Sequence, residues 1–172
     1  MNAVRTKQRP VRLLGATKMG VRTQFGALCW RIRKDRIQVL LVQTRRRKRW
    51  IVPKGWPMEG QTPAKAAATE AFEEAGVLGK VSPVCIGLYS YTKYPRSGID
   101  PLPCMVAVFP MKADKILKDY PEKGQRKRKW VSPNKAAEMA SEPELAQILR
   151  HFDPRLLRLK GVPQDFGKTL DD

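Results

Sequence analysis

Acidic residues are nearly missing from the first 50 positions: Asp35 stands alone against 15 of the chain's 34 lysines and arginines. That asymmetry predicts an anionic partner for the amino-terminal third. Histidine occurs once, at His151 after a helical run, which gives it a surface or capping role rather than a catalytic one. The three cysteines, Cys29, Cys85 and Cys104, are far apart and each lies in an apolar, strand-like run. They exclude zinc spacing and a disulfide framework, and predict buried free thiols. No apolar run approaches the roughly 20 residues of a membrane span. Residues 1–12 also lack the apolar centre of a signal peptide. The expectation is a soluble, cytoplasmic protein with no membrane partner.

What is present is ordinary in hydrophobic content, at 42%, and extreme in charge, at +18. At 172 residues the chain suits one domain with its own core. The middle, residues 51–100, balances five basic against five acidic side chains, so the excess is local. Nucleic acid is the usual partner of such a patch. A small ligand dense in phosphate selects the same residues, and composition does not separate the two.

The pattern along the chain predicts a basic arm over residues 1–20, a domain over 21–153 and a tail over 154–172. Strands are expected at 25–33 and 37–43, joined by a hairpin connection at Lys34 and Asp35. A basic loop (44–49), a short strand (50–53) and a helix (63–75) follow. One strand is expected over 80–91 with a bulge at Gly87, then a loop (94–103) and a strongly apolar strand (104–111). A strand at 127–131 and helices at 133–139 and 142–152 close the domain. Strands alternating with helices give an α/β class with a mixed sheet covered by helices on both faces.

Within this frame Glu70, Glu73 and Glu74 stand at i, i+3 and i+4. On a helix that spacing gathers three carboxylates on one face, where like charges repel. A charge run is ordinarily a solvated face. The context argues otherwise. Thr62 and Pro63 form a helix start, with an N-cap oxygen and a proline at the first helical position. Gly76 supplies a left-handed cap at the end. Ala64, Ala67, Ala68, Ala71 and Ala75 make a stripe of small side chains that lets the helix dock closely. A short, tightly docked helix offering clustered carboxylates suits a hard divalent cation such as Mg²⁺.

These residues resemble the Nudix box, G-x5-E-x7-R-E-U-x-E-E-x-G-U, in which U is aliphatic. Gly55 matches the first glycine; Glu70, Glu73, Glu74, Gly76 and Val77 match the closing half. Gln61 replaces the box Glu, Thr69 replaces the box Arg, and Ala71 is a small version of U. In the family the Glu and Arg interact with each other, so losing both leaves no unpaired charge and reads as a compensated pair. Residues 50–55, Trp-Ile-Val-Pro-Lys-Gly, resemble the strand that leads into the box. Residues 22–152 are most similar to the diphosphoinositol polyphosphate phosphohydrolase branch, through 27–31, 39–49 and 126–130. The resemblance implies a Nudix-type α/β/α sandwich with a catalytic loop-helix-loop.

It also implies roles. Glu70 and Glu74 take the places of metal ligands for Mg²⁺, with Mn²⁺ as an alternative, and Glu73 that of the general base. Gln43, Thr44, Arg45 and Lys127 match positions that touch the polyphosphate, and Arg22 is a weaker candidate. Alternation along a strand limits the contribution of residues 126–129 to two of the four. Asp100, Asp114, Asp119 and Glu122 are unranked candidates for an outer metal ligand. The implied activity is hydrolysis of a pyrophosphate bond in a small, highly anionic substrate, a diphosphoinositol or diadenosine polyphosphate. Two rivals stand beside it: a pyrophosphohydrolase acting on RNA 5′ ends or nucleoside triphosphates, and a non-catalytic Nudix-fold module that binds nucleic acid. Trp30, Trp50 and Trp130 lie in strand-like runs rather than on a stacking platform, which gives RNA binding little support.

Overall fold

Strand β1 (Thr23–Arg33) carries eight consecutive buried residues, the pattern of a strand covered on both faces. In the computed structural model, which describes residues 10–11, 14, 22–94 and 101–160, it forms the centre of an eight-stranded mixed sheet. Strand β2 (Arg36–Gln43) runs antiparallel to it, from Arg33 opposite Arg36 to Trp30 opposite Val39. Lys34 and Asp35 join the two with φ of 48° and 56°, the pair of positive angles that a type I′ hairpin turn requires. On its other side β1 runs parallel to β7 (Leu102–Ile116).

The remaining strands extend this frame. The two-residue strands β3 (Trp50–Ile51) and β4 (Lys54–Gly55) pair with β2 and β1. Strands β5 (Val77–Val81) and β6 (Gly87–Lys93) both pair antiparallel with β7, and β8 (Arg128–Val131) pairs with β2. Helix α1 (Pro63–Ala75) packs on β1, β5 and β4. Helices α2 (Pro133–Met139) and α3 (Pro143–Arg150) pack on each other and on β2 and β6. A 3₁₀ helix, Pro154–Lys160, follows, with Leu157 in the core. The architecture is the expected α/β sandwich with a mixed sheet.

Three expectations are corrected. The single strand over 80–91 is two strands, because Pro83 cannot donate to the ladder; Ser82 and Ile86 still bond to β7, through Pro110 and Val108. The register shift falls between Leu78 and Gly79, not at Gly87. Cys85 sits in the connection between β5 and β6 and is exposed, whereas Cys29 and Cys104 are buried. His151 is the C-cap of α3, its Nδ1 3.0 Å from the Gln147 carbonyl, in the capping role expected of it. The expected arm and tail lie largely outside the described residues. Val11 is described, and exchanges backbone hydrogen bonds with Gly60 and Gln61.

Candidate active site

Helix α1 begins and ends where the sequence marks it. The Thr62 side chain accepts from Lys65 N–H at 3.3 Å, and Pro63 opens the first turn. Gly76 closes it at φ 65°, donating to the Ala71 and Phe72 carbonyls. A Cβ at Gly76 would also lie 2.6 Å from the Tyr120 ring, so geometry and space both demand glycine. Ala64, Ala66, Ala67, Ala71 and Ala75 are buried, which seats the helix close against the sheet.

That seating carries Glu70 and Glu74 to strand β4. The register sets Phe25 opposite Gly55 and Gly26 opposite Lys54, fixing β4 beside β1. Lys54 N–H donates to Glu74 Oε2 at 3.3 Å. A Cβ built on Gly55 would stand 1.7 Å from Glu70 Oε1, so glycine is what admits this carboxylate. Two carboxylates one helical turn apart thus meet the same two residues of backbone.

Both acids hold their protons unusually well. Burial first, then the charges of Glu73 and Glu122, raise Glu70 from 4.5 to about 7. Burial also pushes Glu74 up, against the pull of Arg126. Beside them the Lys54 ammonium donates to Gln24 Oε1 and Tyr91 Oη, each at 2.9 Å, and lies 4.1 Å from the centre of the Tyr91 ring. Burial lowers Lys54 to about 8, with Glu74 resisting.

Arginines close the other side. Arg126 Nη2 lies 2.5 Å from Glu74 Oε1, and its Nε 2.8 Å from Glu122 Oε2. Glu122 also pairs with Arg45, and its backbone N–H donates to the Glu73 carbonyl at 3.0 Å. Arg128 donates to the carbonyls of Ala75, at the end of α1, and Leu117, the latter at 2.9 Å. Arg126 and Arg128 therefore turn toward α1, while Lys127 between them is exposed. Alternation along residues 126–129 was legible; which parity faces the helix was not, because it depends on pairing with β2.

The other residues singled out in the sequence fall as follows. Gln43 bonds through its N–H to the Lys127 carbonyl at 2.9 Å. The Thr44 hydroxyl accepts from Arg49 N–H at 3.0 Å, which folds the basic loop back on itself. Arg47 lies 4.0 Å over the Tyr94 ring, and Arg49 pairs with buried Glu142 at 2.9 Å. The loop is an anchored, cation-rich turn beside β8. Arg22 is exposed ahead of β1. Of the four candidate outer ligands, Glu122 is the one that joins the site. Asp114 is exposed, Asp119 pairs with Lys123, and Asp100 lies outside the described residues. Gln24 and Tyr91, which hold Lys54, carried no local signal in the sequence.

Among the described residues no three Asp, Glu, His or Cys side chains form a ready metal cage. The donor set still fits a hard divalent cation. Glu70 and Glu74 bring carboxylate oxygens together at Lys54 and Gly55, and a bound cation would offset the cost of burying their charged forms.

The family model for the NUDIX domain matches residues 22–155. The chain belongs to the Nudix family. Nudix hydrolases act on pyrophosphate bonds. The chain is 29% identical over 131 residues to Nudix hydrolase 12, mitochondrial, of Arabidopsis thaliana, covering 72% of this chain and 64% of that protein. It is 27% identical over 148 residues to diphosphoinositol polyphosphate phosphohydrolase 3-alpha of Homo sapiens, covering 84% of this chain and 82% of that one. Among solved structures it resembles a C. elegans Ap4A hydrolase binary complex, with a TM-score of 0.59 and 21% identity over 80% of this chain and 99% of the other. In this Nudix chain no described helix is long and apolar enough to cross a membrane.

Proposed function

We propose that this Nudix chain hydrolyses a pyrophosphate bond in a highly anionic small molecule, a diphosphoinositol or diadenosine polyphosphate, using Mg²⁺ held by Glu70 and Glu74. The observation that carries this reading is the meeting of both carboxylates at Lys54 and Gly55. A Mg²⁺ there would neutralise phosphoryl charge and ease deprotonation of the attacking water. Glu73, on the same helix, takes the proton from that water. Arg45 and Lys127, with Gln43 and Thr44 behind them, grip the phosphates that do not react. The exposed side chains of Arg45 and Lys127 support a ligand rich in phosphate. The name of the human relative, a diphosphoinositol polyphosphate phosphohydrolase, agrees with that choice.

The test is a product-mass screen with and without Mg²⁺, across inositol pyrophosphates, dinucleoside polyphosphates, nucleoside triphosphates, sugar nucleotides and triphosphorylated RNA. Cleavage of the first two groups in preference to the rest supports the reading. Preference for RNA or nucleoside triphosphates transfers the activity to the rival substrates.

A further inference from the structure

The Arg126 side chain is only 12% exposed, and its partner Glu74 6%. Both Glu74 oxygens already have donors: Oε1 takes Arg126, and Oε2 takes the Lys54 N–H. The guanidinium is held from behind as well, by Glu122 at its Nε and by the Gln43 carbonyl 3.4 Å from its Nη1. Glu122 in turn pairs with Arg45, which is half exposed. A chain of alternating charges, Glu74–Arg126–Glu122–Arg45, thus runs from the buried carboxylate to the surface. It gives Glu74 a resident cationic partner without a metal. An arginine 2.5 Å from a carboxylate oxygen competes with a divalent cation for that oxygen, since two cations at such range repel strongly where water is scarce.

We propose that Arg126 is a resident counter-ion of the glutamate face, which must release Glu74 before a divalent cation can be held there. This inference rests on the metal-dependent reading above. Glu122 is the pivot: it keeps the Nε while the fork of the guanidinium turns outward. The freed Nη atoms then face the substrate, where a phosphate accepts a charge-assisted, two-pronged hydrogen bond. Arg126 therefore links the two binding events, so that metal is held weakly by the free protein and more tightly once phosphate receives the arginine.

The experiment is a Mn²⁺ titration of the full chain followed by electron paramagnetic resonance, with thermal melts at zero and saturating Mn²⁺. The proteins are the wild type, Arg126→Gln and Arg126→Lys. Removing the competitor should tighten Mn²⁺ binding by about tenfold or more. It should also lower the melting temperature of the metal-free protein and enlarge the rise that Mn²⁺ produces, by linkage. Lysine keeps the charge but cannot span both carboxylates, so Arg126→Lys should fall between. If Arg126→Gln is unfolded without metal, its recovery by Mn²⁺ and the tighter binding of Arg126→Lys support the inference equally. Unchanged or weaker binding in the variants, with the wild type binding normally, overturns this inference alone. No Mn²⁺ binding by any of the three, wild type included, overturns the metal site and the inference together.

Discussion

The Thr69 hydroxyl lies 3.3 Å from Gln61 Oε1, joining the two positions at which the chain departs from the Nudix box. The same hydroxyl lies 3.1 Å from the Lys65 carbonyl one turn back, so its single proton is shared between two acceptors. A neutral contact therefore occupies the place of the family's charged pair. It ties the loop before α1 to the helix without placing a cation next to Glu70 and Glu73.

A double-mutant cycle measures that link. Gln61→Glu with Thr69→Arg should be tolerated, whereas Thr69→Arg alone should cost more activity than the pair. An unpaired arginine one residue from Glu70 competes for the carboxylates, and the added glutamate draws it away. Non-additive effects on kcat, of roughly 1 kcal/mol or more, are expected for residues in contact. Additive effects would mean that the two sites are independent.

Glu70→Gln and Glu74→Gln should each lower turnover by orders of magnitude while circular dichroism stays native. Loss of a metal ligand removes several kcal/mol of charge stabilisation, and each 1.36 kcal/mol is a factor of ten. Near-normal kcat in either variant, with the same Mg²⁺ dependence, contradicts the assignment.

Gly55→Ala separates the catalytic role of the glycine from its structural one. The added methyl meets the far end of the Glu70 side chain, which can move aside. The melting temperature should therefore change little and kcat should fall sharply, because the carboxylate is displaced from Lys54 and Gly55. A large loss of stability with kcat intact would point to a packing role only.

The raised proton affinity of Glu70, about 7 against 4.5, sets the sign of a pH effect. Between those values the folded, metal-free protein binds protons that the unfolded chain has released, so stability falls as pH rises through the window. Below it both states are protonated and nothing is lost. Melting temperatures of metal-free protein should decline from about pH 5 to about pH 7, less steeply in Glu70→Gln. An equal slope in the variant would remove Glu70 as the cause.

Arg45→Ala and Lys127→Ala test the phosphate grip. KM should rise most for the substrates richest in phosphate and barely change for a nucleoside diphosphate sugar, which is too short to reach them. If the charge serves nucleic acid instead, the same variants should weaken RNA binding uniformly and reduce its salt slope by about one per lost contact.

The helix of the site was legible because its signals are local: Thr62, Pro63, Gly76 and the alanine stripe each specify one feature within a few residues. The hairpin at Lys34 and Asp35 was legible for the same reason. Arg126 was not, because its orientation is fixed by β8 pairing with β2, more than 80 residues earlier in the chain. The Lys54–Gln24–Tyr91 contacts likewise need three strands in register, information that no window of sequence holds. The interruption at Pro83 could have been read, since proline within a strand run demotes it.

The central claim is that water attacks a phosphorus of a pyrophosphate bond at the glutamate face. It is tested most directly by turning over the preferred substrate of the screen in ¹⁸O-water with Mg²⁺ and weighing both products, beside Glu74→Gln. The expected result is one ¹⁸O in a single phosphate-bearing product for each bond cleaved, with turnover lost on chelation of the metal and in the variant. Absence of turnover on every pyrophosphate substrate, together with tight, salt-sensitive RNA binding by the same protein, would contradict it.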